Sequence, residues 1–180
     1  PVTVVVIVMS RNFDQIPAFR RLKQEKGWDI FFDYVIRPTF DGQKGPLQYR
    51  LNETQIQNAH GIVPPLTQGE FRSINGCCMK NLGKDRIFIA ADRKVYPDPS
   101  LPIVVGDLRE GSLASIWRQA PLLKRLRETE LKDFSCCDCA YLKYCPGDPG
   151  LAFQEHGDLF QAPAELCRLL RVREKGECCV

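Results

Sequence analysis

Residues Phe134-Ser-Cys136-Cys137-Asp-Cys139-Ala-Tyr141-Leu-Lys-Tyr144-Cys145-Pro-Gly147 set three thiols at C-x2-C-x5-C, and Cys167 follows as a later thiol. Two cysteines separated by two residues can turn toward one centre, because the intervening backbone closes a tight turn around it. The stretch lacks the long apolar runs of a core element and is rich in a single ligand type. Soft sulfur donors of this kind gather on a metal ion or an iron–sulfur cluster. The rest of the chain reads as scaffold for this loop, with Cys167 as its closing ligand. On spacing alone, four thiolates suit tetrahedral zinc as well as a cluster, although zinc sites more often pair two C-x2-C knuckles.

The composition sets bounds around that loop. At 180 residues, 44% hydrophobic and 26% charged, the chain can form one large or two small globular domains with a core of their own. A net charge of +3 is too small to mark a nucleic-acid partner. No apolar run approaches the roughly 20 residues that cross a bilayer. The longest, Val2 to Met9, has neither the basic start nor the cleavage site of a signal peptide. Nine cysteines include the adjacent pairs Cys77-Cys78, Cys136-Cys137 and Cys178-Cys179. A secreted disulfide framework suits them poorly: the count is odd, a secretory signal is missing, and a core of this size needs no staples. Clustered thiols instead point to a metal or cluster in a reducing, cytoplasmic setting.

Pro1-Val-Thr-Val-Val-Val-Ile-Val-Met9 reads as a strand covered on both faces, as in a parallel α/β sheet. Ser10-Arg11-Asn12 follows as a loop, with Asn12 or Asp14 available as a helix cap. Residues 15–26 carry Ile16, Phe19 and Leu22 at helical spacing, and Gly27 ends the run. Residues 28–36 form a second strand, which completes a βαβ unit with parallel strands. A parallel sheet needs neighbours, and few are at hand. The reading is therefore the C-terminal part of something larger. Polar residues at the C-terminal ends of parallel strands build α/β sites, so Arg37 is a candidate for substrate contact, with a solvated loop arginine as the alternative.

Asn52-Glu-Thr-Gln55 has the pattern of a capping box opening a helix through Ala59. Pro64-Pro65 marks a boundary between domains 1–65 and 66–180. Residues 86–90 and 94–97 then flank a hairpin turn around Asp92. Ser112 is an N-cap for residues 113–117, and 121–131 continue as a basic helix with Leu122, Leu126 and Leu123 inward. After the Cys-rich loop, a polar segment runs to Asp158. A last helix, 164–173, carries Cys167 in its first turn.

The order of these pieces resembles a known family. A βαβ tail precedes a Cys-containing segment and a hairpin. Next come Gly106-Asp-Leu-Arg-Glu-Gly111-Ser112-Leu113-Ala-Ser-Ile116-Trp117 and then C-x2-C-x5-C with a late Cys. This resembles the C-terminal half of radical S-adenosylmethionine (SAM) enzymes bearing a SPASM domain, among them anaerobic sulfatase maturases and peptide-modifying maturases. The resemblance covers nearly the whole chain. It implies an α/β fold: the last βα units of a partial (β/α) barrel over 1–65, and a Cys-rich α+β SPASM domain with a hairpin and short helices over 66–180.

The resemblance also implies chemistry. Cys136, Cys139, Cys145 and Cys167 fall on the ligands of an auxiliary [4Fe–4S] cluster that relays electrons and shapes the substrate site. A second cluster would draw on Cys77 or Cys78. The family's hairpin cysteine is Asp98 here, however, and its cysteine after C-x3 from Cys145 is Pro149. One cluster is therefore expected, with Cys77, Cys78 and Asp98 left as an altered second site. SAM and its own [4Fe–4S] cluster need a C-x3-C-x2-C loop, and no such spacing occurs among these cysteines. They are expected in preceding polypeptide, so this chain alone is not assigned an activity. The implied partners are a peptide or protein substrate and an electron donor such as a flavodoxin or ferredoxin, with no nucleic acid or membrane. Residues 37–49 and 145–151 are candidates for substrate contact. Tyr141 and Tyr144 are expected to shield the cluster, Trp117 to lie in the core, His60 and His156 at the surface, and Cys178 and Cys179 at a frayed end. The rival readings are a structural zinc module held by four cysteines and a non-catalytic peptide-binding partner.

Overall fold

Strand β1 (Thr3–Ile7) pairs in parallel with β2 (Asp29–Asp33), and helix α1 (Ile16–Lys26) joins them. This is the expected βαβ unit with shorter strands. The computed structural model describes residues 2–62, 81–142, 145 and 147–174; Cys77, Cys78, Tyr144, Cys178, Cys179 and the side chain of His60 lie outside the described residues. In register, Val4 sits beside Ile30, Val5 beside Phe31 and Val6 beside Phe32. Val6, Val8, Ile16 and Ile30 close on Leu51 and Ile56 to form one core. Helix α1 stops at Gly27, whose backbone N–H reaches the Lys23 carbonyl.

The expectation of a strand covered on both faces is corrected. Val5 is 57% exposed and Ile7 43%, with Phe31 exposed beside Val5. A continuous apolar run cannot say which face is packed, because that depends on where the helices lie. Here the apolar residues of α1 meet the face that carries Val6 and Val8. Asn12 takes the N-cap position of a 3-10 turn, Phe13–Gln15, but its side chain does not cap it. Its Oδ1 accepts from Met9 N–H (2.7 Å) and its Nδ2 donates to Ile7 O (3.0 Å), so it pins the loop back onto the end of β1. Helix α2 (Glu53–Ile62) opens on the expected capping box: Gln55 N–H donates to Asn52 Oδ1 (2.8 Å) and Asn52 N–H to Gln55 Oε1 (3.1 Å). It runs past Ala59 to Ile62.

Strands β3 (Phe88–Ile89) and β4 (Lys94–Tyr96) form the antiparallel hairpin, and β5 (Gly106–Asp107) adds a third strand in the order β3-β4-β5. Two-residue strands carry too little alternation to be read in advance, and β5 was not anticipated. Beyond it lie helices α3 (Leu113–Gln119) and α4 (Pro121–Glu128). Ser112 caps α3 as expected, its Oγ accepting from Ser115 N–H at 3.2 Å. On α4, Leu123 and Leu126 are buried at 0% and 2% exposure, whereas Leu122 is half-buried. The inward pair is thus Leu123 and Leu126, three apart on one helix face, joined by Leu82, Leu101, Ala120 and Leu159 in the core.

The segment read as polar, up to Asp158, contains helix α5 (Pro149–His156), and α6 (Ala164–Glu174) closes the described chain. The chain divides into two compact units: Pro1–Pro65 with Arg168–Glu177, and Leu66–Cys167 with Cys178–Val180. From Arg168 onward, α6 groups with the first unit instead of with 66–180. There Arg168 Nη2 donates to Leu51 O at 2.9 Å, and Leu169 and Val172 pack on the first core. Among the described residues no helix is long and apolar enough to cross a membrane.

Candidate metal centre

The Cys-rich loop is a run of backbone turns. Cys137 N–H donates to Phe134 O, Cys139 to Cys136 O, Leu142 to Cys139 O and Cys145 to Leu142 O, at 3.0 to 3.3 Å. Each bond closes a turn across three residues, so Cys136, Cys139, Leu142 and Cys145 stand at the ends of successive turns. That is the structural content of C-x2-C-x5-C: the ligand positions are whole turns apart. Cys136 is only 8% exposed and packs with Phe134, while Cys139, Leu142, Phe160 and Ala162 line the same small cluster. The rings of Phe134 and Phe160 lie 5.4 Å apart, and Ser135 N–H donates to Phe160 O (2.9 Å). An apolar wall of this kind limits water at the sulfurs, which matters for the potential of any bound cluster.

The sulfurs differ in their surroundings. Gly147 N–H donates to Cys145 Sγ at 3.4 Å, the arrangement that stabilises a thiolate ligand. Desolvation, followed by the charge of neighbouring Asp138, pushes the Cys137 thiol up. Cys167 sits in the first turn of α6, its N–H on Pro163 O. That turn is tied to α5: the Glu155 carboxylate accepts from Glu165 N–H at 3.3 Å, a negative charge at a helix N-terminus. Cys136, Cys137, Cys139, Cys145 and Cys167 are thiols, not disulfides. Among the described residues, no three His, Cys, Asp or Glu side chains converge as ligands of a single ion. A four-iron cluster spreads its thiolates over four irons. The soft donor set, the N–H on Cys145 Sγ and the apolar wall fit such a group.

The remaining candidates fall elsewhere. Asp98 closes a local turn: its Oδ1 accepts from Ser100 N–H (2.9 Å) and Ser100 Oγ–H (2.7 Å). Cys77 and Cys78 lie outside the described residues. Pro149 is the first residue of α5, and Asp148 caps that helix by accepting from Leu151 N–H at 2.9 Å. Residues 149–151 are buried, so that end of the 145–151 stretch is core and not substrate-facing, a correction. The signal was present, since Asp-Pro at a helix start and Gly157 after its end are recognised punctuation. Arg37 is half-buried. After it, residues 39–43 close on themselves through Thr39 N–H to Gln43 O and Gln43 N–H to Thr39 Oγ1. Trp117 packs beside the second core with the Arg127 guanidinium over its ring, and Tyr141 is half-buried. His156 is exposed at the end of α5. One feature was not legible: an open cleft of about 520 Å³ lined by Arg125, Glu128, Thr129, Asp133, Asp158 and Phe160, with Arg125 stacked 4.6 Å over Phe160.

Residues 77–140 match the family model of SPASM, an iron-sulfur cluster-binding domain. Cys136 and Cys139 lie inside that match, Cys145 and Cys167 beyond it. Over 116 residues the chain is 28% identical to a protein of Methanosarcina barkeri (strain Fusaro) named AdoMet-dependent heme synthase, covering 64% of this chain and 32% of that protein. Over 154 residues it is 24% identical to a protein of the same name from Nitratidesulfovibrio vulgaris (strain Hildenborough), covering 86% of this chain and 41% of that one. The chain thus spans well under half the length of the curated relatives it matches.

Proposed function

We propose that the chain carries the SPASM part of a radical SAM enzyme, a reading supported by the matched domain model and the two relatives, and that Cys136, Cys139, Cys145 and Cys167 hold one auxiliary [4Fe–4S] cluster. The observation that carries this is the run of turns that spaces Cys136, Cys139 and Cys145 by three and then six residues and ends with Gly147 N–H on Cys145 Sγ. Four cysteine ligands leave no open iron, so a cluster so held transfers electrons and braces its surroundings instead of binding substrate. The apolar wall of Phe134 and Phe160 would set its potential by limiting solvent. Cys77, Cys78 and Asp98 would not hold a second one, since Asp98 already serves the Ser100 turn and carboxylate is a harder donor.

The β1-α1-β2 unit would be the end of the partial barrel, and cleavage of SAM would use ligands outside these 180 residues, in a cytoplasmic protein reduced by a flavodoxin or ferredoxin. For the substrate, the name shared by the two relatives favours a tetrapyrrole over the peptide or protein side chain that the resemblance implies. Removing one thiolate should cost the cluster and part of the local fold, because metal binding and folding are coupled in so small a segment. Cys139→Ser is expected to lose most of the bound iron and to melt earlier, and Cys137→Ser to keep both near wild type. Equal iron content in the two variants would overturn the ligand assignment.

A further inference from the structure

Arg11 is exposed in the loop that leaves the C-terminal end of β1, and its guanidinium lies 4.7 Å over the ring of Tyr49. Both partners are fixed by backbone. Ser10 N–H donates to Tyr49 O at 2.9 Å, Asn12 pins the loop to Met9 and Ile7, and Gln55 Nε2 donates to Ser10 O. Among the described residues the guanidinium makes no ion pair or hydrogen bond; its contact is with the ring face. Stacking engages the plane of a guanidinium, so its N–H edge can still grip a carboxylate with two parallel bonds. Tyr49 also holds the side chain in one place, so less conformational freedom remains to be lost on binding. The position is the one where parallel α/β sheets build ligand sites, outside the carboxyl ends of the strands. On the loop after β2, closed by the Thr39–Gln43 bonds, Phe40 is 45% exposed and offers an apolar ring.

We propose that Arg11, stacked on Tyr49 at the C-terminal end of β1, binds a carboxylate of a flat, anionic substrate. The inference rests on the tetrapyrrole reading for the kind of substrate it names, since tetrapyrroles combine a planar apolar ring with peripheral carboxylates.

The test is equilibrium titration of the complete polypeptide with iron protoporphyrin IX and with its dimethyl ester, which keeps the ring and removes both charges. The diacid is expected to bind more tightly, and Arg11→Ala to reduce that preference by roughly ten- to hundred-fold, the range of one charge-assisted pair. Arg11→Lys should restore part of it, and Tyr49→Leu should weaken it by freeing the side chain. Arg21→Ala, which removes an equal charge from the exposed face of α1, should leave it unchanged. Circular dichroism on each variant separates lost binding from lost fold. Equal affinity for diacid and diester, or a preference that survives Arg11→Ala, would overturn the Arg11 site while leaving the substrate class standing. Binding of neither porphyrin would remove the substrate class and the site with it.

Discussion

Gly150 is where the end of the Cys-bearing loop is fixed to a distant turn. A Cβ at this position would run into Ser100 Oγ and lie 2.6 Å from the Ser100 carbonyl oxygen. The hydroxyl could rotate away, but the backbone could not, because Asp98 clamps Ser100 through both its N–H and its Oγ. Gly150→Ala should therefore destabilise the fold by about 1–3 kcal/mol, the usual cost of overpacking a closed contact. A lowered melting temperature in calorimetry checks this, and an unchanged one would mean that the turn yields freely. None of it was legible in the sequence. The contact depends on residues far apart in the chain, and only the folded structure brings them together. The thiols were legible for the opposite reason, since three of them repeat within one local ladder of turns.

At the level of elements, the Gly106–Trp117 motif builds a corner. Gly106 lacks a side chain where Ile116 packs, since a Cβ there would lie 2.7 Å from it. Asp107 turns the chain by accepting Glu110 and Gly111 N–H on its carbonyl and Arg109 N–H on its carboxylate. Ser112 then starts α3. The Arg109 guanidinium, followed by the Arg109 backbone N–H, pulls the Asp107 carboxyl down to about 2. A lowered folded-state value means that its contribution is fully present above the ordinary carboxylate range, near pH 4, and is lost as pH falls toward about 2. Acid unfolding should thus lose a component between those limits in Asp107→Asn. The prediction fails if wild type and variant trace parallel stability curves from pH 5 to pH 2. Elements governed by adjacent residues, such as the Asn52–Gln55 box and the Ser112 cap, could be read from sequence. The exposed face of β1 and the existence of β5 could not, because packing partners decide both.

For the whole molecule, Cys167 groups with the second compact unit, and Leu169 and Val172 pack on the core of the first. A division at Pro65 with everything afterward in one domain was the natural sequence reading, because a chain-order reading does not foresee a return. Four of the cysteines are proposed to hold one closed iron–sulfur cluster. The direct measurement is anaerobic reconstitution of the chain, with iron, sulfide and zinc counted beside a visible spectrum. About four irons and four sulfides per chain are expected, with a broad sulfur-to-iron absorption that bleaches on reduction. About one zinc without sulfide would contradict the cluster in favour of a structural zinc module. About eight irons would contradict the single cluster and return Cys77, Cys78 and Asp98 to the ligand set.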